Sequence, residues 1–280
     1  MKKLVMWSTM AALSAPLAMP QDAQKVTVPF RDASRPRKLV VDSLLGSVTV
    51  RGYEGQEAIV ETTPRAGDGR GRGGGRGGGR GKQTEVPAGM HRIGGNTGGV
   101  EITEDNNTIN ISGGFFSPVD ISIQVPTQTS VTVNLVTGRT LTIEDISGEV
   151  EATNMNGQVN INNVSGSVVA HSMNGKIMVS LNSVMPDKAV SVSTMNGDID
   201  VSLPSAVKAN LKLKTDHGGM FTDFDIKVDS TPRPPKVEDR RDKGGPYRVE
   251  MGGTTYGTIN GGGPEIQFTT FNGNIRIHKK

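Results

Sequence analysis

The stretch ISGEVEATNMNGQVNINNVSGSVVAHSMNGKIMV, residues 146–179, decides the fold. Glycines recur in it every nine residues, at Gly148, Gly157, Gly166 and Gly175. Two places before each stands an apolar residue (Ile146, Met155, Val164, Met173), and directly before each stands Ser or Asn (Ser147, Asn156, Ser165, Asn174). Val or Ile follows at plus two, as Val150, Val159, Val168 and Ile177, and Ala152, Ile161, Ala170 and Val179 follow at plus four. Nine residues bury too little to fold alone, so such a unit is stable only when stacked on its own copies.

Each unit reads as a turn followed by a strand. Gly-x-φ-x-φ alternates with period two and gives one apolar face. Ser-Gly and Asn-Gly are turn dipeptides, because Gly reaches positive φ without steric cost and Asn tolerates it. This predicts positive φ at Gly157 and Gly175. Two units make one flattened coil of about 18 residues. Met155-Asn156-Gly157 and Met173-Asn174-Gly175 then stack like on like, as do Ile146-Ser147-Gly148 and Val164-Ser165-Gly166. The expectation is an Asn ladder at one corner and Met155, Met173 and Met195 stacked inside.

The phrase returns at Met195-Asn196-Gly197-Asp198-Ile199-Asp200-Val201 and at Phe271-Asn272-Gly273-Asn274-Ile275-Arg276-Ile277, and Leu45-Gly46-Ser47-Val48-Thr49-Val50 opens the domain. Thirty-seven glycines among 280 residues and 4% aromatics fit a turn-rich all-β chain. The fold class expected is therefore all-β, a single elongated β-solenoid with short stacked strands and Asn-Gly/Ser-Gly turns. At about 18–20 residues per coil it should hold nine or ten coils in a rod of roughly 45 Å.

Flanking the repeats are segments of another kind. Residues 1–23 begin with Lys2 and Lys3 and continue through a mostly apolar run cut by Pro16 and Pro20, the pattern of a signal peptide. Export to the periplasm, cell surface or exterior follows, with no membrane span in the mature chain. The solenoid domain then runs 24–280, interrupted by a Gly/Arg-rich loop at 65–82 and a Pro-rich charged loop at 229–246. The first loop carries five Arg and Lys82 against Asp68, a net charge of +5 in a chain of +3. Basic character therefore sits in one segment, and Arg70, Arg72, Arg76 and Arg80 are its candidate polyanion-binding residues. No Phe or Tyr interleaves them to stack bases, which argues against specific nucleic-acid binding.

Chemistry is sparse. There is no cysteine, so disulfides and thiolate-bound metals are excluded. The four histidines, His91, His171, His217 and His278, are scattered outside any metal-ligand spacing, and His171 is expected beside a turn. Glu144 with Asp145, or Asp198 with Asp200, could form the carboxylate pair of a glycoside hydrolase. Charged residues on the outer face of an amphipathic strand are the simpler account. The expectation is a protein without catalytic residues, cofactor or metal.

Beyond the repeats, the chain resembles the bacterial putative-adhesin family. The resemblance runs through Gly46-Ser47-Val48-Thr49-Val50, Val119-Asp120-Ile121-Ser122-Ile123-Gln124-Val125-Pro126, the nonamer block, Val201-Ser202-Leu203-Pro204 and Asn272-Gly273-Asn274-Ile275. It implies an exported β-strand-repeat domain acting as an adhesin-like binding or structural module of the cell envelope. Its partners would be an envelope glycan, an anionic lipid or another envelope protein. The alternatives are a carbohydrate-active β-helix enzyme, hydrolase or lyase, and a polyanion-binding protein acting through the Arg-Gly loop.

Overall fold

The structure, a computed structural model, describes residues 24–32, 34–64, 99–113, 118–229, 236–239, 247–250 and 253–280. These residues form strands and turns with no helix among them. In chain order the strands are β1 (Gln24–Pro29), β2 (Lys38–Tyr53), β3 (Glu57–Pro64), β4 (Val100–Asp105), β5 (Thr108–Gly113), β6 (Val119–Pro126) and β7 (Ser130–Glu144). The nonamer block supplies β8 (Val150–Asn156), β9 (Gln158–Val164), β10 (Val168–Asn174) and β11 (Ile177–Leu181). Then come β12 (Val190–Asn196), β13 (Ile199–Leu203), β14 (Ala209–His217), β15 (Met220–Thr222) and β16 (Ile226–Asp229). A separate pair, β17 (Lys236–Asp239) and β18 (Tyr247–Glu250), precedes β19 (Thr254–Ile259), β20 (Glu265–Asn272) and β21 (Ile275–Lys279). The segment expected as a loop at 229–246 thus contains a strand of this antiparallel pair.

The β-solenoid is observed. Parallel strands stack into two walls, joined where β2 and β7 bend from one wall to the other. Face A contains β8, β10, β12, β20 and β14; face B contains β9, β11, β13, β21 and β15. The register stacks like on like: Val150, Val168, Val190 and Ile266 form one inner column of face A. Val159, Ile177, Ile199 and Ile275 form its counterpart in face B. All eight are buried, and a fully buried aliphatic side chain of this size stabilises by about 1.5–3 kcal/mol.

Coil order in space is not coil order in sequence. The first coil, β2, lies between the coil β5/β6 and the coil β7. The last, β20/β21, slots between β12/β13 and β14/β15. Eight parallel coils result among the described residues, fewer than the nine or ten expected. The difference lies in strands that cap the ends instead of adding coils: β3 and β4 run antiparallel on β6 and β5, and β19 runs antiparallel on β14. An end coil would otherwise present a full row of unpaired backbone groups.

The methionines overturn an expectation. Met155, Met173 and Met195 stack, but outside: they are 37%, 41% and 52% exposed. Ile146 and Val164, which hold the same place before their glycines, are buried. A single backbone feature separates the two corners. Asp145 and Asn163 take left-handed φ of 59° and 56° just before Ile146 and Val164, which breaks the strict alternation and turns the next side chain inward. Asn and Asp are the residues that enter this region most readily. Strands β8, β10 and β12 instead stay extended up to the glycine, so alternation continues and Met faces out.

The inward position at that corner is one residue earlier and is polar: Asn154, Ser172, Thr194 and Thr270 are buried. Thr194 Oγ1 donates to the Gly175 carbonyl at 3.1 Å, Thr270 Oγ1 to Gly197 at 3.0 Å and Thr215 Oγ1 to Gly273 at 2.9 Å. These three threonines each satisfy a turn carbonyl of the neighbouring coil, whereas Ser172 Oγ makes no such bond, and an unsatisfied buried carbonyl would cost about 1–3 kcal/mol.

The corner glycines are there mainly for space. Gly157 has positive φ, 145°, as expected, but Gly175 does not. A Cβ on Gly175 would lie 1.9 Å from the Gly157 carbonyl oxygen, and one on Gly157 would lie 2.0 Å from that of Gly138. Glycine stacks on glycine because the coils approach too closely there for any side chain.

Candidate functional site

The outer surface of face A carries three columns running along the solenoid axis. Nearest the corner, Asn156, Asn174, Asn196 and Asn272 form the expected amide ladder, placed in register by backbone pairing. Asn174 Nδ2 donates to Asn156 Oδ1 at 2.9 Å, Asn196 Nδ2 to Asn174 Oδ1 at 2.9 Å, and Asn272 Nδ2 to Asn196 Oδ1 at 2.8 Å. Asn156 Nδ2 closes the row on the Val136 carbonyl at 3.3 Å. All the amides point the same way, so their dipoles align and reinforce one another.

Beside the ladder stands an apolar ridge. Val136 (39% exposed), the three methionines and Phe271 (47%) occupy successive rungs. On the next coil His217 holds the ladder position beside Asn272, and its ring meets Phe271 edge to face with centroids 5.1 Å apart, while Asp216 takes the ridge position and ends the apolar run. A third column, two residues further along each strand, is polar: Asn134, Thr153, His171, Ser193 and Thr269. His171, expected beside a turn, sits within β10 instead, its Nδ1 2.6 Å from Ser193 Oγ. This surface follows from alternation. Once the interior takes every second residue, the rest must form parallel columns outside.

Face B differs. Here Asp198 and Asp200 share Arg276, whose Nη1 lies 2.8 Å from Asp198 Oδ2 and 3.2 Å from Asp200 Oδ1, and Lys176 closes on Asp200. The backbone N–H of Asn274, donating to Asp198 at 2.8 Å, and then Arg276 hold the Asp198 carboxyl below its ordinary range. Glu144 takes both Arg51 Nε (3.1 Å) and Nη2 (2.7 Å), and Asp145 accepts from Asn163 Nδ2 at 3.2 Å. Lys280 Nζ reaches Asn163 Oδ1, Ser180 Oγ and Asn182 Oδ1 at 3.3, 3.1 and 2.8 Å. The two candidate carboxylate pairs are therefore engaged, and the depressed pKa of Asp198 is the opposite of what a general acid needs.

Elsewhere the surface offers shallow polar hollows. One of about 380 Å³ is lined by Arg31, Asp32, Arg35, Asn106 and Asn107. Its side chains hold the end of the solenoid: Asp32 N–H donates to Asn107 Oδ1 at 2.8 Å, and Asp32 pairs with Arg35 at 3.5 Å. Among the described residues no three His, Asp or Glu side chains cluster to hold a metal, and no helix is long and apolar enough to cross a membrane. Arg70, Arg72, Arg76 and Arg80, like residues 1–23, lie outside the described residues.

The nonamer spacing alone makes all four units equivalent and so does not show the ridge. Residue type alone does not separate the corners: Asn163 before Val164 is left-handed, whereas Asn154 before Met155 is not.

Comparison with known proteins finds similarity to one family over part of the chain. Residues 128–244 match the family model of the Toastrack DUF4097 domain, from the start of β7 through the central coils. Two solved structures are similar in outline. A putative cell adhesion protein from Clostridium sporogenes is 12% identical, with 92% of this chain and 100% of that chain covered at a TM-score of 0.47. A putative adhesin from Bacteroides fragilis is 8% identical, with 92% and 97% covered at a TM-score of 0.27. No curated protein matches the chain. Residues 128–244 are thus similar to the Toastrack DUF4097 domain, and the resemblance to the putative-adhesin family, of unknown function, stands.

Proposed function

We propose that the protein is an exported, non-catalytic, adhesin-like module of the cell envelope that binds through the outer surface of face A. The observation that carries this reading is the apolar ridge, five exposed side chains in register along the outside of one wall, with Val169 a further exposed apolar side chain on the same wall. Contiguous exposed apolar surface of this kind mostly marks interaction sites. The engaged carboxylates of face B support a non-catalytic reading. The frame beneath the ridge is rigid by construction, since each rung is fixed by backbone pairing on both sides, so binding would need little ordering of the site.

Adherence of the fluorescently labelled mature protein to whole bacterial cells and to isolated envelope fragments tests this reading. The quadruple variant Met155→Ser, Met173→Ser, Met195→Ser, Phe271→Ser should keep its fold by circular dichroism and lose adherence. Adherence that is equal in the variant, or absent in the native protein, overturns the assignment.

A further inference from the structure

Resting on that reading, we infer that the ridge and its two flanking columns bind a linear, uncharged polysaccharide laid along the solenoid axis. The columns repeat once per coil, about every 4.8 Å, so the best-matched ligand is one that itself repeats along its length. It must also present apolar and hydrogen-bonding surface side by side, because the ridge lies between an amide ladder and a column of hydroxyl, amide and imidazole groups. A sugar ring does this: its C–H face suits thioethers and the Phe271–His217 aromatic pair, and its hydroxyls lie at the edge.

The amides are equipped for such a partner. Asn174 and Asn196 each spend one N–H and one carbonyl lone pair on ladder neighbours, Asn156 donates to the Val136 carbonyl and accepts from Asn174, and Asn272 donates to Asn196, while a carboxamide has two of each. One donor and one acceptor per rung therefore remain for a ligand hydroxyl, which is both acceptor and donor. The five rungs from β7 to β20 carry no Asp, Glu, Lys or Arg in these columns, and the charges at their ends, Asp42 on Asn134 and Asp216 beside Lys214 on β14, make no cationic site, so a polyanion gains nothing there.

Area argues against a second copy of the chain as the occupant. The five ridge side chains expose on the order of 400 Å² of apolar surface, half of the roughly 800 Å² that each partner gives to an ordinary stable protein interface. Five rungs instead suit an oligosaccharide of several sugars.

The experiment uses the mature protein with ¹³C-methyl methionine, whose Met155, Met173 and Met195 signals are assigned by single Met→Leu substitutions. Cello-oligosaccharides and chito-oligosaccharides of two to six sugars are titrated, with polygalacturonate as a charged control. The ridge methyls should shift with at least one neutral series. Affinity should rise at least about tenfold from disaccharide to hexasaccharide as more rungs are covered. It should be unaffected by salt and fall about tenfold or more in Phe271→Ala. Polygalacturonate should leave the ridge methyls unmoved.

In parallel, adherence to envelope fragments is measured after periodate oxidation and after protease digestion. Periodate-sensitive, protease-resistant adherence supports the proposal. Ridge-dependent adherence that survives periodate and is lost to protease overturns the glycan while leaving the binding reading intact. Ridge methyls that shift with protein concentration alone, with sedimentation showing a dimer, overturn it in favour of self-association. If native adherence never depends on the ridge, the underlying reading fails as well.

Discussion

Faces A and B are built from the same nonamer, share one interior and have matching register, yet their outer surfaces are opposite in kind. Face A exposes three methionines and a phenylalanine beside a neutral amide ladder. Face B carries Arg276 bridging Asp198 and Asp200, Lys176 on Asp200, and Arg51 on Glu144. The aliphatic columns Val150–Val168–Val190–Ile266 and Val159–Ile177–Ile199–Ile275 match between the walls, so the difference between the outer surfaces does not come from these columns. In a β-solenoid the interior fixes the frame, and the outward residues are free to carry whatever surface the protein uses.

The largest expected effect comes from breaking the frame that both faces share. Gly175→Val should cost more than about 4 kcal/mol, because its Cβ would overlap the Gly157 carbonyl and the coils would have to separate. Thermal unfolding followed by circular dichroism would show it, and a drop no larger than that of a surface substitution would refute the close packing. Asn at the same place should fare little better, since space and not φ is limiting.

Thr194→Val tests the polar lining on the face A side of the same corner. The shape is kept, but the Gly175 carbonyl loses its 3.1 Å partner, so a destabilisation of about 1–3 kcal/mol is expected in urea unfolding.

Acid separates the two faces. Asp198 has a folded pKa below its unfolded value, so its contribution is present above about pH 4 and disappears as pH falls through the lower folded value. Arg276→Gln should therefore lower the Tm at pH 7, and the gap to the native protein should narrow as pH falls through the depressed folded pKa of Asp198. The quadruple ridge variant of face A should parallel the native protein across that whole range. A gap that stays constant with pH would mean Arg276 acts by packing instead.

The smallest effect on stability belongs to Met173→Asp, within about 0.5 kcal/mol, because the side chain is outside. A loss of several kcal/mol would return this methionine to the core.

Part of this molecule is legible from residues alone. Glycine every nine residues, with period-two alternation between, is enough to call for stacked coils, since no unit so short can bury its own apolar face. The 18-residue register and the Asn ladder follow from the same spacing. What spacing does not contain is the sense of each side chain at the corners. A single left-handed residue, Asp145 or Asn163, shifts the alternation by one. It therefore decides whether the residue before Ser-Gly or Asn-Gly enters the core, and that conformation is chosen by the coil beneath as much as by the residue.

Coil order also lay beyond the sequence. Identical strand phrases can pair with any neighbour, so placing β2 between β5/β6 and β7, and β20/β21 between β12/β13 and β14/β15, depended on which arrangement left capped ends. Local periodicity thus determined the repeat, its register and its apolar interior, because these depend on neighbours along the chain. The exposed ridge, the engaged carboxylates and the interleaved end coils were decided only by tertiary structure, because each arises between residues brought together from distant coils.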